Sequence, residues 1–252
     1  MEYSGRLMIL ALDTASPVVS VAFHGEIRTE RSIELARSSR RLLEMVDEVL
    51  EEARVTVAEL TGIVTLRGPG SFTGLRVGLA TVMGLHQASG IPATAVPTLE
   101  VLAASAVQAG AEIPGDRIVA AVDVLRGEWA VQPFRATWPP APETAAERVP
   151  ADELARFLPA AFVGFGLDKL RREGGLETSV DAADTVFVDP PPLAAVAARL
   201  AATQPPVWDA GLLTEPLYFR PPPVTLPTRR PGAPRNKRKG RGRRDSRNRV
   251  GA

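Results

Sequence analysis

The chain opens on an apolar run, residues 8–13 (MILALD), that closes in an acid and a hydroxyl, Asp13 and Thr14, ahead of Pro17. That pattern predicts a buried strand with a polar tip. Residues 18–23 (VVSVAF) alternate branched and small side chains, His24-Gly25 supplies a turn, and residues 27–33 resume an extended pattern. Three antiparallel strands are the simplest reading. From residue 39 the period lengthens. Leu42, Leu43, Val46, Val49, Leu50 and Ala53 recur at three and four, with Glu48, Glu51 and Glu52 on other faces, which predicts an amphipathic helix. Thr56 and Glu59 stand at capping-box spacing before a short helical turn, and residues 62–66 (GIVTL) return to a buried strand.

Residues 67–90 (RGPGSFTGLRVGLATVMGLHQASG) follow that strand as a glycine-bracketed loop and a helix. Residues 91–96 then read as a strand and 99–108 as an alanine-rich helix. The second half repeats the order: strands at 118–122 and 129–134 around Arg126-Gly127, a proline-rich loop over 138–150, a short helix at 151–158, a strand at 161–164 and a helix at 192–202. Strands before helices, twice, predict two related α/β lobes, residues 1–110 and 111–220. Beyond residue 221 apolar periodicity stops, and a composition rich in Pro, Gly, Arg and Lys predicts a disordered tail over 221–252.

Charge sharpens that division. From Arg229 onward 11 Lys and Arg face one acid, Asp245, whereas the preceding residues hold 19 bases and 28 acids, so a body of −9 carries a tail of +10. No apolar run reaches the roughly 18 to 20 residues of a membrane span, and the first residues lack a basic, cleavable leader, so a cytoplasmic protein is expected. The chain has no cysteine, which excludes disulfides, thiolate metal sites and thiol nucleophiles. Its two histidines, His24 and His86, lie 62 positions apart, so a histidine-rich metal cluster is not expected either.

The segment Gly68-Pro69-Gly70-Ser71-Phe72-Thr73-Gly74 carries the strongest local signal. Its glycines permit close backbone approach, Ser71 or Thr73 can cap the new helix, and free N–H groups at a helix start can hold an anion. Gly68, Gly70, Ser71 and Thr73 are therefore candidates for anion or nucleotide contact. The plainer reading is a structural helix start, because the spacing fits neither the lysine-bearing phosphate loop nor the dinucleotide fingerprint, and no histidine stands near Ser71 as a base. Along the helix, Gly74, Gly78, Thr81, Gly84 and Ala88 recur at three and four. Several helical glycines cost roughly 1 kcal/mol each against alanine, which tight packing must offset. That packing is either internal or against another subunit.

The string GPGSFTGLRVGLATVMGL resembles the signature of the TsaB (YeaZ) family, with Phe72, Thr73 and Arg76 falling in order among the glycines. Residues 9–14 with 20–22 resemble the family's opening strands, Thr98-Leu99-Glu100 the start of its next helix, residues 123–128 its D-A-R-x-G-E segment, and residues 215–220 its closing E-P-x-Y-L-R. Val124 and Leu125 replace the usual Ala-Arg, Ser38 replaces a frequent histidine, and Gly164-Phe165-Gly166 lacks an acid often found there. The resemblance implies two actin- and sugar-kinase-like lobes of the ASKHA, ribonuclease H-like kind, in which Asp13 with Thr14 resembles the first phosphate-loop acid and is a candidate for nucleotide contact, the alternative being a plain polar strand tip. It implies a non-catalytic scaffold that pairs with TsaD, with TsaE joining, for threonylcarbamoylation of adenosine next to the anticodon in tRNA. ATP and a metal would belong to the partner subunits, with no cofactor of this chain's own.

The implied partner interface is the first-lobe helices, here Leu42, Val46, Val49, Leu50, Gly74, Gly78, Thr81, Gly84, Leu85 and Ala88. The same face would form a homodimer when the partner is missing. Arg235, Lys237, Arg238, Lys239, Arg241, Arg243 and Arg244 are candidates for sequence-blind tRNA contact, since the tail has no aromatics to stack on bases. Two other readings are an independent kinase or ATPase of the same superfamily and a metallopeptidase-like protein. The first lacks a phosphate-binding lysine and the second lacks metal ligands.

Overall fold

Alternation along the first strand decides the layering of the molecule. In the computed structural model, which describes residues 7–34, 41–173, 184–203 and 207–219, strand β1 (Ile9–Asp13) sends Ile9 and Ala11 into one core and Leu10 and Leu12 into another. A strand buried on both faces must be central in its sheet. It lies between β2 (Val18–His24), antiparallel, and β4 (Gly62–Leu66), parallel. Strand β3 (Arg28–Glu34) pairs antiparallel with β2, and β5 (Ala93–Val96) parallel with β4, giving the order β3-β2-β1-β4-β5. The three antiparallel strands expected at the start of the chain are present.

The second sheet repeats this plan. Its central strand, β6 (Arg117–Asp123), pairs antiparallel with β7 (Glu128–Arg135) and parallel with β10 (Ala160–Phe165), which pairs parallel with β11 (Thr185–Val188). The expected loop over 138–150 contains two short strands instead. Residues β8 (Ala141–Pro142) and β9 (Glu147–Pro150) both pair antiparallel with β7. Their prolines stand at the ends of an edge, where a missing N–H costs no ladder bond. The chain is α/β with two lobes of matching topology.

Helices fill the layers. The first lobe's outer core sets α1 (Leu42–Ala53) and α2 (Phe72–Ser89) against Leu10, Leu12, Val19 and Val21. Between the sheets, α3 (Thr98–Gln108) and α5 (Leu193–Thr203) form one continuous core that reaches Val64 and Leu66 on one side and Ile118, Ala120 and Phe134 on the other. Helix α5 follows the second sheet in sequence but is tied to the first: the N–H of Ala194 donates to the Ser20 hydroxyl at 3.1 Å. The second lobe's outer face is covered by α4 (Leu167–Glu173) and a 3-10 turn that buries Leu154 and Phe157. At the expected capping box, Glu59 Oε2 accepts from the backbone N–H and the hydroxyl of Thr56, each at 2.7 Å. These bonds hold the Glu59 carboxyl below its usual pKa. Among the described residues no helix is long and apolar enough to cross a membrane. The basic tail lies outside the described residues.

Candidate functional site

The site begins where β4 hands over to α2. Gly68 has φ +106°, and a side chain there would meet the Leu217 carbonyl at 2.7 Å, because the chain returns across this loop with Leu217 N–H donating to Arg67 O at 2.7 Å. Ser71 caps α2, its hydroxyl accepting from Gly74 N–H at 3.2 Å. The loop after β1 presses on that helix start: Ser71 N–H donates to Ala15 O at 2.8 Å, and the Thr14 hydroxyl to Gly74 O at 2.7 Å. A Cβ on Gly70 would stand 2.6 Å from Ala15 O, and one on Gly74 1.8 Å from Thr14 O. The glycines are there for backbone approach.

Asp13 holds the loop from beneath. Its Oδ1 accepts from Ala15 N–H at 2.8 Å and Ser16 N–H at 3.2 Å, while among the described residues Oδ2 and the Ser16 hydroxyl make no hydrogen bond of good geometry, although the hydroxyl lies close enough to act on the carboxyl. Burial raises the Asp13 carboxyl from 3.8 to about 6, against the opposing pull of Ser16 and the Ala15 backbone.

The expected ligand-contact residues fall at both buried and exposed positions. Asp13, Thr14, Gly70 and Ser71 are brought together around the start of α2, but Asp13 is wholly buried, Thr14 nearly so, and Gly74 and Gly78 face them. The groups closing on the helix start are the carbonyls of Thr14 and Ala15, which disfavour an anion there. Gly68 serves the crossing segment, and Thr73 points outward on the exposed face of α2.

The residues of the expected partner interface fall on both the inner and the outer faces of α1 and α2. Leu42, Val46, Val49 and Leu50 line the first lobe's outer core. Gly74 and Gly78 are buried against the Thr14 loop, and Leu85 packs against the same core. These residues serve the chain's own packing, because the apolar stripe of a helix on a sheet is the stripe it buries. Gly84 and Ala88 are exposed and Thr81 half-buried, and a Cβ on Gly84 would meet nothing within 4 Å. Thr73, Val77, Ala80, Gly84 and Ala88 form the outward row of α2, and on α1 Leu43 is 58% exposed. Val77 and Ala80 were not singled out from the sequence. No local pattern separates them from the buried stripe, whose small residues recur at the same spacings.

Near the outward row, the Arg76 guanidinium lies 3.9 Å over the Phe72 ring and donates through Nε to the Tyr218 hydroxyl at 3.2 Å. Tyr218 also packs on Phe72, with ring centroids 5.0 Å apart. Residues 72 and 76 share a helix face, but Tyr218 is 142 positions from Arg76, and no local pattern shows that contact. In the second lobe Asp123 pairs with Lys169, and the turn after β6 carries positive φ at Leu125, Arg126 and Gly127. Arg235, Lys237, Arg238, Lys239, Arg241, Arg243 and Arg244 lie outside the described residues.

A family model described as TsaD, tRNA N6-adenosine threonylcarbamoyltransferase, matches residues 33–175, more than half of the chain. The tRNA threonylcarbamoyladenosine biosynthesis protein TsaB of Escherichia coli is 33% identical over 128 residues, 49% of this chain and 54% of that protein. The protein of the same name in Haemophilus influenzae is 32% identical over 126 residues, covering 49% and 52%. The chain thus spans about half the length of the curated relatives it matches. Among solved structures, YeaZ from Pseudomonas aeruginosa has a TM-score of 0.65 at 26% identity, over 78% of this chain and 91% of that one. A second P. aeruginosa structure, described as similar to peptidase YeaZ, gives 0.70 at 26% identity over 85% and 100%. With the signature loop seated against the strand it was expected to follow, the chain belongs to the family of that TsaD-type model and, within it, to the TsaB (YeaZ) proteins.

Proposed function

We propose that this chain is a non-catalytic subunit in tRNA threonylcarbamoyladenosine biosynthesis, pairing with TsaD while TsaE joins the pair, and that the transfer chemistry resides in the partner. The observation that carries the reading is family membership in a chain with no cysteine and two histidines placed apart, His86 bonded to Ile91 O at 2.7 Å on α2 and His24 at the end of β2. ATP and a metal are used by the partners, in the cytoplasm. The contact is the outward row of α2 with Leu43 of α1, where small and apolar side chains let another helix approach. The same row would take a second copy of the chain when TsaD is missing.

The isolated chain is expected neither to hydrolyse ATP nor to modify tRNA, whereas addition of TsaD and TsaE restores modification. Mass spectrometry of nucleosides from the treated tRNA, with ATP turnover assayed in parallel, checks this. Modification by the chain alone, with TsaD shown absent, would reject the scaffold role, and ATP turnover by the chain alone would favour a kinase-like protein.

The basic tail adds a second expectation. A body of −9 repels tRNA, and a segment of +10 attracts its phosphates through counterion release. Deletion after Thr228 should leave TsaD pairing intact and weaken tRNA binding by the complex at least about tenfold at low salt, with the difference shrinking as salt rises. Equal affinities of full-length and truncated complexes at low ionic strength would remove tRNA contact from Arg235, Lys237, Arg238, Lys239, Arg241, Arg243 and Arg244.

A further inference from the structure

At one end of the first sheet, the β2–β3 hairpin and the helices α3 and α5 surround a half-open cleft of about 240 Å³. Its polar lining comes from three distant parts of the chain: His24, Arg28, Thr29 and Glu30 from the hairpin, Gln108 from the end of α3, and Arg199 from α5. Two of these groups are already committed. The Thr29 hydroxyl donates to Val49 O at 2.9 Å, and at the Glu30 carboxyl, whose pKa burial raises, the Ala195 backbone in the first turn of α5 partly offsets that rise. The others remain available. Arg199 stacks over the Trp138 ring at 4.7 Å, a contact that uses the guanidinium face and leaves its N–H edges for another partner. Among the described residues neither Arg28 nor Arg199 makes an ion pair. Two guanidiniums beside a single carboxylate leave the lining with a formal charge of +1 when His24 is neutral.

We propose that this cleft is a binding site for a phosphate group, either the free ion or a small phosphomonoester, held by Arg28 and Arg199 with Gln108 and His24 as further donors. Guanidinium forks match tetrahedral oxyanions through paired N–H bonds, which a lysine ammonium does not. The donors come from three elements that line one cleft. The cleft is smaller than the roughly 300–1,000 Å³ of sites for drug-sized ligands, which favours a compact anion over a whole nucleotide. Burial first, then Arg28, then Arg199 hold the His24 imidazole below the ordinary 6.5. An anion between those arginines offsets their effect on the ring.

The two histidines make the site directly observable, since His24 lines the cleft and His86 is a reference held by Ile91 elsewhere on the first lobe. The experiment titrates the untagged full-length chain with inorganic phosphate at constant ionic strength and follows both imidazoles by NMR. In a parallel arm, glycerol phosphate replaces the ion. The expected result is a saturable shift of the His24 signal with His86 unmoved. The His24 titration midpoint should also rise at saturation, with Glu30, Arg28 and Arg199 the other charged groups facing it. Arg28→Gln, at an exposed position, and Arg199→Gln should each weaken binding at least about tenfold, with thermal melts confirming that both variants fold. A response in both arms identifies a site that accepts phosphomonoesters. A response to inorganic phosphate alone identifies a site for the free ion. No saturable shift at His24, or one that survives in both variants, would overturn the proposal.

Discussion

Gly78→Leu is expected to destabilise the first lobe by between about 2 and 6 kcal/mol, whereas Gly84→Leu, six positions on in the same helix, is expected to leave stability unchanged or raise it by up to about 1 kcal/mol. At position 78 the first added carbon would stand 2.3 Å from Thr14 Oγ1 and 3.2 Å from Thr65 Oγ1. Neither hydroxyl can retreat freely, because Thr14 donates to Gly74 O at 2.7 Å and Thr65 to Leu12 O at 2.9 Å, both buried. The larger side chain therefore brings an overpacking strain of about 1–3 kcal/mol and a buried threonine hydroxyl parted from its acceptor at a similar cost. Against a whole-domain stability of about 5–15 kcal/mol, that loss is enough to deplete the native state. At position 84 the new side chain enters open space, and exchanging a helical glycine for leucine restores about 0.8–1 kcal/mol of helix propensity. Urea denaturation of both variants measures the contrast. A wild-type midpoint for Gly78→Leu would mean the Thr14 loop is not seated as described. Mixing each folded variant with TsaD on a sizing column tests the outward row separately, since only Gly84→Leu alters that surface, and normal pairing by this variant would exclude Gly84 from the contact.

The difference between these glycines marks what a sequence can tell and what it cannot. The unbroken apolar run of residues 8–12 and the three-and-four spacing from Leu42 to Ala53 report burial directly, so the strands and α1 were legible. So was the loop-helix junction at Ser71, because capping is a local event. Which side of α2 faces inward was not, since Gly78 and Gly84 are the same residue type and differ only by what lies opposite. For Gly78 that is Thr14, 64 positions earlier and brought there by the pairing of β1 with β4. The strands at Ala141–Pro142 and Glu147–Pro150 were hidden by their prolines, which read as loop until an edge is available to tolerate them. The phosphate cleft was illegible for a plainer reason. Arg28, Gln108 and Arg199 share no pattern, and only the return of α5 to the first sheet brings them together.

Asp13→Asn is expected to stabilise the protein above pH 6 by about 3 kcal/mol, and by progressively less as the pH falls towards 4. The Asp13 carboxyl is fully buried, and burial raises its pKa from 3.8 to about 6. Between those two values the folded protein keeps a proton that the unfolded chain releases. Native stability relative to the unfolded state therefore falls as pH rises through this window, and the full penalty is present above it. At 1.36 kcal/mol per pKa unit the shift corresponds to about 3 kcal/mol. An asparagine keeps the oxygen that accepts from Ala15 and Ser16 N–H, and its amide replaces Oδ2 beside the Ser16 hydroxyl, neither of which makes a hydrogen bond of good geometry among the described residues. The charge is lost while the turn retains its bonds. Asp13→Ala is the control, because it removes the same charge but strips both N–H groups of their acceptor, at about 1–3 kcal/mol for each left unpaired. Urea midpoints for the wild type and Asp13→Asn, taken from pH 4 to 7.5, make other titrating groups cancel in the difference. That difference should grow with pH and level off above about 6. A difference that stays constant across the range would show that Asp13 does not titrate in this window, and one that shrinks with pH would show that its charge is stabilised where it lies.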